Sequence, residues 1–240
     1  MHGFLSPFIL LLFQKSLFNG LFQTEFKEAI VRPLLKKSGH DSTQKENYHP
    51  VSNLSFLSKL LERASQARLE VFLDSSDSTP MMQSAYHQFH STVTAIMKVY
   101  NDLLLAADNG DVSVLCLLDL TAAFDIIDHD LMLLKLERQF GLRGVVRDWF
   151  RSYLCGRTYQ VIHSGKTSYT VHVICSVPQS SVLGPRIFIL YAADLEDVAT
   201  KHSVNIHCYA DDTQLYLHGH CTTWHPPSID SKTASLMSVR

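Results

Sequence analysis

An excess of positive charge is the first thing the sequence lacks. Its 240 residues carry 21 Lys+Arg against 23 Asp+Glu, a formal net charge of −2. Surfaces that grip a nucleic-acid backbone are ordinarily basic. Composition therefore argues mildly against strong nucleic-acid binding by these residues alone. Charge of either sign is scarce, at 18%, too little for a disordered or coiled-coil chain. Cysteine is also sparse. The five residues at 116, 155, 175, 208 and 221 are odd in number, and no pair has C-x-x-C spacing. That excludes a disulfide framework and reads as reduced, mostly buried thiols of an intracellular protein. An uninterrupted membrane-length apolar run is missing too. Residues 4–22 are apolar, but Gln14 and Lys15 interrupt them, with no basic n-region and no small-residue cleavage site. The stretch reads as a buried helix rather than a signal or membrane segment. No internal repeat is present.

Hydrophobic residues make up 46% of the chain, ample for one sizeable core with a smaller subdomain packed on it. Residues 4–30 pattern as helix with a break near Gly20, followed by the basic residues Arg32, Lys36 and Lys37 and a polar loop at 38–43. Asn53 is a candidate cap for a helix over 54–73, where Leu54, Leu57, Leu61 and Ala64 recur at helical spacing. After a second polar loop at 74–80, a helix near 91–107 carries Val93, Ile96, Met97, Tyr100, Leu103 and Leu104 on one stripe, read as core. A turn at Asn109-Gly110-Asp111 leads into residues 112–118, rich in Val and Leu, which predict a buried strand. Helical patterning returns at 129–140, 144–154 and 185–199. Strand-like runs at 158–163 and 167–175 flank Ser164-Gly165-Lys166, and runs at 204–209 and 213–217 flank a tight acidic turn. Beyond His218 periodicity is lost, and the Pro226-Pro227 and Ser-rich end reads as a disordered tail.

Two short segments carry the chemistry. In the first, Leu117-Leu118-Asp119-Leu120-Thr121-Ala122-Ala123-Phe124-Asp125, a strand ends in a carboxylate. In the second, Tyr209-Ala210-Asp211-Asp212, two adjacent carboxylates share a hairpin tip. Adjacent carboxylates repel unless a cation or solvent neutralises them. An isolated Asp-Asp pair reads as a solvated turn. Here the pair follows, after about ninety residues, a strand ending in Asp-x-x-x-x-Phe.

That arrangement resembles the signature of a reverse transcriptase, and the stretch CYADDTQLYL at 208–217 resembles the catalytic hairpin of LINE-type (non-LTR) retrotransposons. Residues 178–191, PQSSVLGPRIFILY, are similar to the family's PQGSVLGP motif, and residues 47–63 to its fingers motif NYRPIS. Residues 83–95 and 149–158 match further blocks, so the resemblance covers about 20–218. It implies an α+β right-hand polymerase fingers-palm fold, with a mixed palm sheet packed on helices and the thumb missing. The expected organisation is a helical extension at 1–20, fingers and palm at 21–218, and a divergent tail at 219–240.

The resemblance further implies an RNA-directed DNA polymerase that uses two Mg²⁺ ions, an RNA template, a DNA primer and dNTPs, in the nucleus or cytoplasm and without a membrane. Asp119 and Asp211 would bind the metals with Asp212 beside them, and Leu120 would add a backbone carbonyl. Phe124 would sit under the sugar of the incoming nucleotide, and Gln179 against the new base pair. Asp125 and Asp128 read instead as helix-start carboxylates.

The chain departs from the family at His49, His87, Gln88 and Ser180, where Arg, Arg, Arg and Gly are expected. His and Gln lose a permanent charge and a bidentate donor, and a side chain at 180 can strain a close-packed loop. Each change can arise from a single G-to-A transition in the codon, and for the arginines this is the pattern expected of an old, unselected genomic copy. Together with the expected loss of the thumb, this makes a non-catalytic retrotransposon relic or a domesticated nucleic-acid-binding module the alternative reading. A zinc site from His218, His220, Cys221 and His225 is the weaker alternative, since their spacing fits no standard pattern.

Overall fold

The computed structural model describes residues 2–76, 78–119 and 123–220, with backbone alone for residues 2–4 and 49. In chain order the elements are α1 (His2–Asn19), β1 (Glu28–Leu35), β2 (Tyr48–Asn53), α2 (Phe56–Ser75), α3 (Thr92–Asp108) and β3 (Asp111–Asp119). These are followed by α4 (His129–Arg138), α5 (Val145–Leu154), β4 (Thr158–His163), β5 (Lys166–Thr167) and β6 (Val171–His172). Last come α6 (Gly184–Tyr191), α7 (Asp194–Lys201), β7 (Asn205–Tyr209) and β8 (Asp212–His220). The chain forms two compact units: Met1–Ser78 with Phe124–Ile187, and Thr79–Ala123 with Phe188–Arg240.

The first unit holds a mixed sheet of order β2-β1-β4-β5, with β6 also on β4. β1 runs antiparallel to β2 and parallel to β4. Its aromatic core is built by α5, whose Trp149, Phe150, Tyr153 and Leu154 are all buried at helical spacing. Phe22 meets Trp149 and Tyr153 edge-on at 5.6 and 5.1 Å, and the Trp149 indole donates to Ser16 Oγ at 3.1 Å.

Several expectations for this unit need correction. The N-terminal helix ends at Asn19, because Gly20 turns left-handed (φ 65°) and packs where a Cβ would lie 2.9 Å from the Val145 carbonyl. Residues 28–30, expected to close the helix, instead open β1 (Glu28–Leu35), claimed by partners at 48–53 and 158–161 that lie far off in sequence. α1 is not a buried helix: Leu5, Phe8, Leu10, Leu11 and Phe18 are exposed, while its Ser16 is buried and bonded to Trp149 of α5. The cap of α2 is Ser55 rather than Asn53, its hydroxyl accepting from the Ser58 N–H at 3.1 Å. The 167–175 run is two short strands. Asp128 does cap α4, accepting from the Leu131 N–H. Among the described residues no helix is long and apolar enough to cross a membrane.

The second unit is an antiparallel sheet of order β3-β8-β7. One face buries Leu215, Ile206 and Val204 against Ala199 of α7, with Cys116, Leu118, Leu195 and Val198 around them. The expected buried strand at 112–118 is an edge strand with one packed face; Val112, Leu115 and Leu117 are exposed. α3 is also turned from its predicted stripe. It buries Ala95, Val99 and Ala106, while Val93, Ile96, Met97, Tyr100 and Leu104 stay exposed. The small residues allow close approach, and the Tyr216 phenol donates to Asp102 of α3 at 2.6 Å, fixing which face looks inward. The 185–199 helix is broken into α6 and α7 at residues 192–193. The four described cysteines are free, but Cys155 and Cys175 are exposed rather than buried.

Candidate functional site

The strand β3 delivers Asp119 as its last residue, and β8 begins at Asp212. The register pairs Asp119 with Asp212 across the two strands. Paired residues of an antiparallel ladder share a face with Cβ atoms about 4.5–5.5 Å apart, so these two carboxylates project together. Tyr209 also pairs with Asp212, leaving Ala210 and Asp211 as a two-residue turn. Ala210 has φ 56°, as the primed hairpin turns require at a central position. The sequence thus placed the three carboxylates correctly on adjacent strands and their turn, although the partner opposite Asp119 is Asp212. Asp119 and Asp212 are exposed and Asp211 is half-buried.

Partial burial, then the Asp211 carboxylate, hold the Tyr86 phenol above its ordinary value. Burial pushes the Cys208 thiol up to about 11 and holds the His207 imidazole below its ordinary value.

Among the described residues no three His, Cys, Asp or Glu side chains form a ready-made metal cage. The donor set nevertheless suits Mg²⁺, which keeps several waters and is held by one or two carboxylates plus substrate phosphates. Leu120 lies outside the described residues, as do Cys221 and His225 of the suggested zinc group. His218 and His220 are in β8, and His218 Nδ1 lies 2.8 Å from Ser113 Oγ.

Phe124 and Gln179 belong to the first unit. Phe124 accepts from the Val177 N–H at 3.0 Å through its carbonyl. Its ring lies where a Cβ on Gly184 would be 3.3 Å away. Gln179 is half-buried in the loop leading to Gly184, and Ser180 beside it has φ 67°. A non-glycine residue in that region is strained by about 1–2 kcal/mol. Ser180→Gly removes that strain and adds unfolded-state entropy, so it should stabilise the chain by about 0.5–1 kcal/mol. A urea midpoint that does not rise would contradict this.

Two residues that sequence reasoning passed over organise these loops. Glu62, fully buried on α2, accepts from the Val182 and Leu183 N–H groups at 2.7 and 3.1 Å, the Tyr153 phenol at 3.3 Å and Ser58 Oγ at 3.1 Å. The available signal was a charged residue beside Leu61 on the buried stripe. Gln83 lies against the acidic turn: its Nε2 donates to the Ala210 carbonyl at 3.1 Å, and its Oε1 accepts from the Ala210 N–H at 2.8 Å. A glutamine in a matched but unexplained block gave no comparable signal.

Residues 35–233 match the family model described as reverse transcriptase (RNA-dependent DNA polymerase). This chain belongs to the reverse transcriptase family. It is 32% identical over 215 residues to the RNA-directed DNA polymerase from mobile element jockey of Drosophila melanogaster, covering 87% of this chain and 23% of that one. It is 30% identical to the probable RNA-directed DNA polymerase from transposon BS of the same fly, over 90% of this chain and 24% of the relative. The chain thus spans about a quarter of these relatives' length. The LINE-type resemblance is borne out by these mobile-element relatives. Among solved structures, telomerase from Candida tropicalis superposes with TM-score 0.60 at 14% identity, over 91% of this chain and 47% of that one. Telomerase from Candida albicans gives 0.59 at 15% identity, over 89% and 40%. This likeness bears out the α+β fingers-palm fold of a reverse transcriptase. The mixed sheet lies in the first unit, while the carboxylate sheet is antiparallel.

Proposed function

We propose that the chain is the fingers and palm of an RNA-directed DNA polymerase, and that Asp119, Asp211 and Asp212 hold its catalytic Mg²⁺ ions. The observation that carries this is the register pairing of Asp119 with Asp212, one residue from Asp211 at the turn. Bound there, two Mg²⁺ ions would activate a primer 3′-hydroxyl and stabilise the leaving pyrophosphate. The protein's part is to hold the carboxylates on a rigid hairpin, since positioning and electrostatics dominate phosphoryl transfer. Phe124 would select deoxynucleotides by crowding a 2′-hydroxyl, Gln179 would pack on the new base pair, and Leu120 would lend a carbonyl. The substrates on this reading are an RNA template, a DNA primer and dNTPs. Residues 21–218 would form this module, with 1–20 and 219–240 outside it.

Metal binding tests the reading without needing turnover. Mn²⁺ titration followed by electron paramagnetic resonance should give a site on the wild-type chain. Asp119→Ala and Asp211→Ala should each weaken it by at least about a hundredfold, as expected when one of few carboxylate ligands is lost. Unchanged affinity in Asp211→Ala would sink the assignment. Primer extension on poly(rA)/oligo(dT) is expected to be weak. Its complete absence with intact Mn²⁺ binding would favour the non-catalytic module, a reading supported by His87, Gln88 and the strained Ser180.

Reverting His49→Arg, His87→Arg, Gln88→Arg and Ser180→Gly adds three charges, moving the formal net charge from −2 to +1. Affinity for an RNA–DNA hybrid should rise, and the log K against log salt slope should steepen by about 0.7–0.9 for each phosphate newly neutralised. Ser180→Gly alone should leave the slope unchanged. Fluorescence anisotropy over a salt series measures this, and an unchanged slope in the four-fold revertant would mean these positions are not lost backbone contacts.

A further inference from the structure

We infer that Gln83 is a positioning residue for the acidic turn, clamping Ala210 so that Asp211 is presented in one fixed orientation to a divalent cation. The inference rests on the metal assignment proposed above.

The segment carrying Gln83 behaves as a short extra strand on the free edge of β7. The Cys208 N–H donates to the Met82 carbonyl at 2.7 Å, and the Ser84 N–H donates to the Cys208 carbonyl at 2.9 Å. These bonds fix Gln83 in a parallel bridge with Cys208. From there its side chain reaches two residues along to the turn. It satisfies both backbone groups of Ala210, donating to the carbonyl and accepting from the N–H. The same Oε1 also accepts from the Ala85 N–H at 3.0 Å, which holds the amide in place. Gln83 is only 7% exposed, so water does not compete freely for these bonds.

The turn needs such a hold. Ala210 sits at φ 56°, a region a residue with a Cβ occupies only when its surroundings over-determine it. The amide supplies both a donor and an acceptor at this reach. Glutamate would set a second oxygen against the Ala210 carbonyl, and asparagine is one methylene too short. An adjacent pair of carboxylates is also the place where free backbone motion would most disperse a metal site.

The experiment follows the Ala210 amide by NMR hydrogen exchange and the metal by Mn²⁺ titration, in the full chain. The variants are Gln83→Met, which keeps the length but removes the amide, and Ser84→Ala. The latter breaks the adjacent contact of Ser84 Oγ with His207 Nε2, at 3.1 Å, without touching the turn. Gln83→Met should speed exchange at Ala210 by about tenfold, the loss of one ordinary hydrogen bond, and weaken Mn²⁺ binding several-fold. Ser84→Ala should do neither. Unchanged Mn²⁺ affinity or unchanged Ala210 exchange in Gln83→Met, or an equal loss in Ser84→Ala, overturns the inference. Asp211→Ala is the separate control. If that variant keeps full affinity, the metal assignment itself fails and takes this inference with it, whatever Gln83→Met does to the exchange rate.

Discussion

Glu62→Ala should destabilise the first unit by about 3–5 kcal/mol, the cost of stripping a buried carboxylate from the donors that converge on it. Four donors converge on this one group. Two are the backbone N–H groups of Val182 and Leu183, at the point where the PQSSVLG loop enters α6. Water cannot replace the carboxylate easily, because Glu62 and Leu183 are fully buried. Glu62→Gln puts an amide oxygen where Oε2 accepts three bonds and leaves an NH₂ near Ser58. Its cost should therefore be milder, about 1–2 kcal/mol. Urea unfolding followed by circular dichroism reads both. Equal losses in the two variants would show that the carboxylate's charge, rather than an acceptor of the same shape, is what the site requires. The loop held by Glu62 contains Gln179, so the loss should also raise hydrogen exchange at Val182 and Leu183.

Trp149→Ala should cost about 3–5 kcal/mol, in the range measured for large aromatic truncations in cores. The indole stacks on Tyr153 at 5.6 Å, meets Phe22 and Phe150 edge-on, and is only 3% exposed. It also ties α1 to α5 through Ser16. Two effects therefore add: a cavity among aromatic rings, and a Ser16 hydroxyl with one bond fewer. Trp149→Phe refills most of the volume and should recover more than half of the loss. A Trp149→Ala chain as stable as wild type would mean that the ring cluster contributes little to holding this unit together.

How far the sequence could be read depended on the range of the forces at each place. The acidic hairpin was legible because it is local. Alternating strands, a two-residue turn and a repeated carboxylate lie within one short stretch, 204–217, and the structure returns them as β7, Ala210–Asp211 and β8. The helix at 144–154 was legible for the same reason, with four large apolar residues on one side of three turns. Residues 28–30 misled, because an apolar stretch following a helix patterns much like more helix. Only pairing with 48–53 and 158–161 makes them a strand.

By itself, then, the sequence determined the family and the placement of Asp119 at a strand end and of Asp211 and Asp212 at a hairpin turn, since motif and short-range periodicity survive in any order of packing. Tertiary structure decided which side of α3 is core. Ala95, Val99 and Ala106 were chosen over the larger Ile96, Met97 and Tyr100, because close approach to the sheet and the bond from Tyr216 to Asp102 outweigh the area of any one side chain. It decided that Asp119 stands opposite Asp212, which is a matter of strand register. It also gave Glu62 and Gln83 their work. Each satisfies backbone groups more than a hundred residues away, at Val182 and Ala210. No pattern within the sequence encodes such a contact, because its energy exists only once both loops have been brought out of water to the same place.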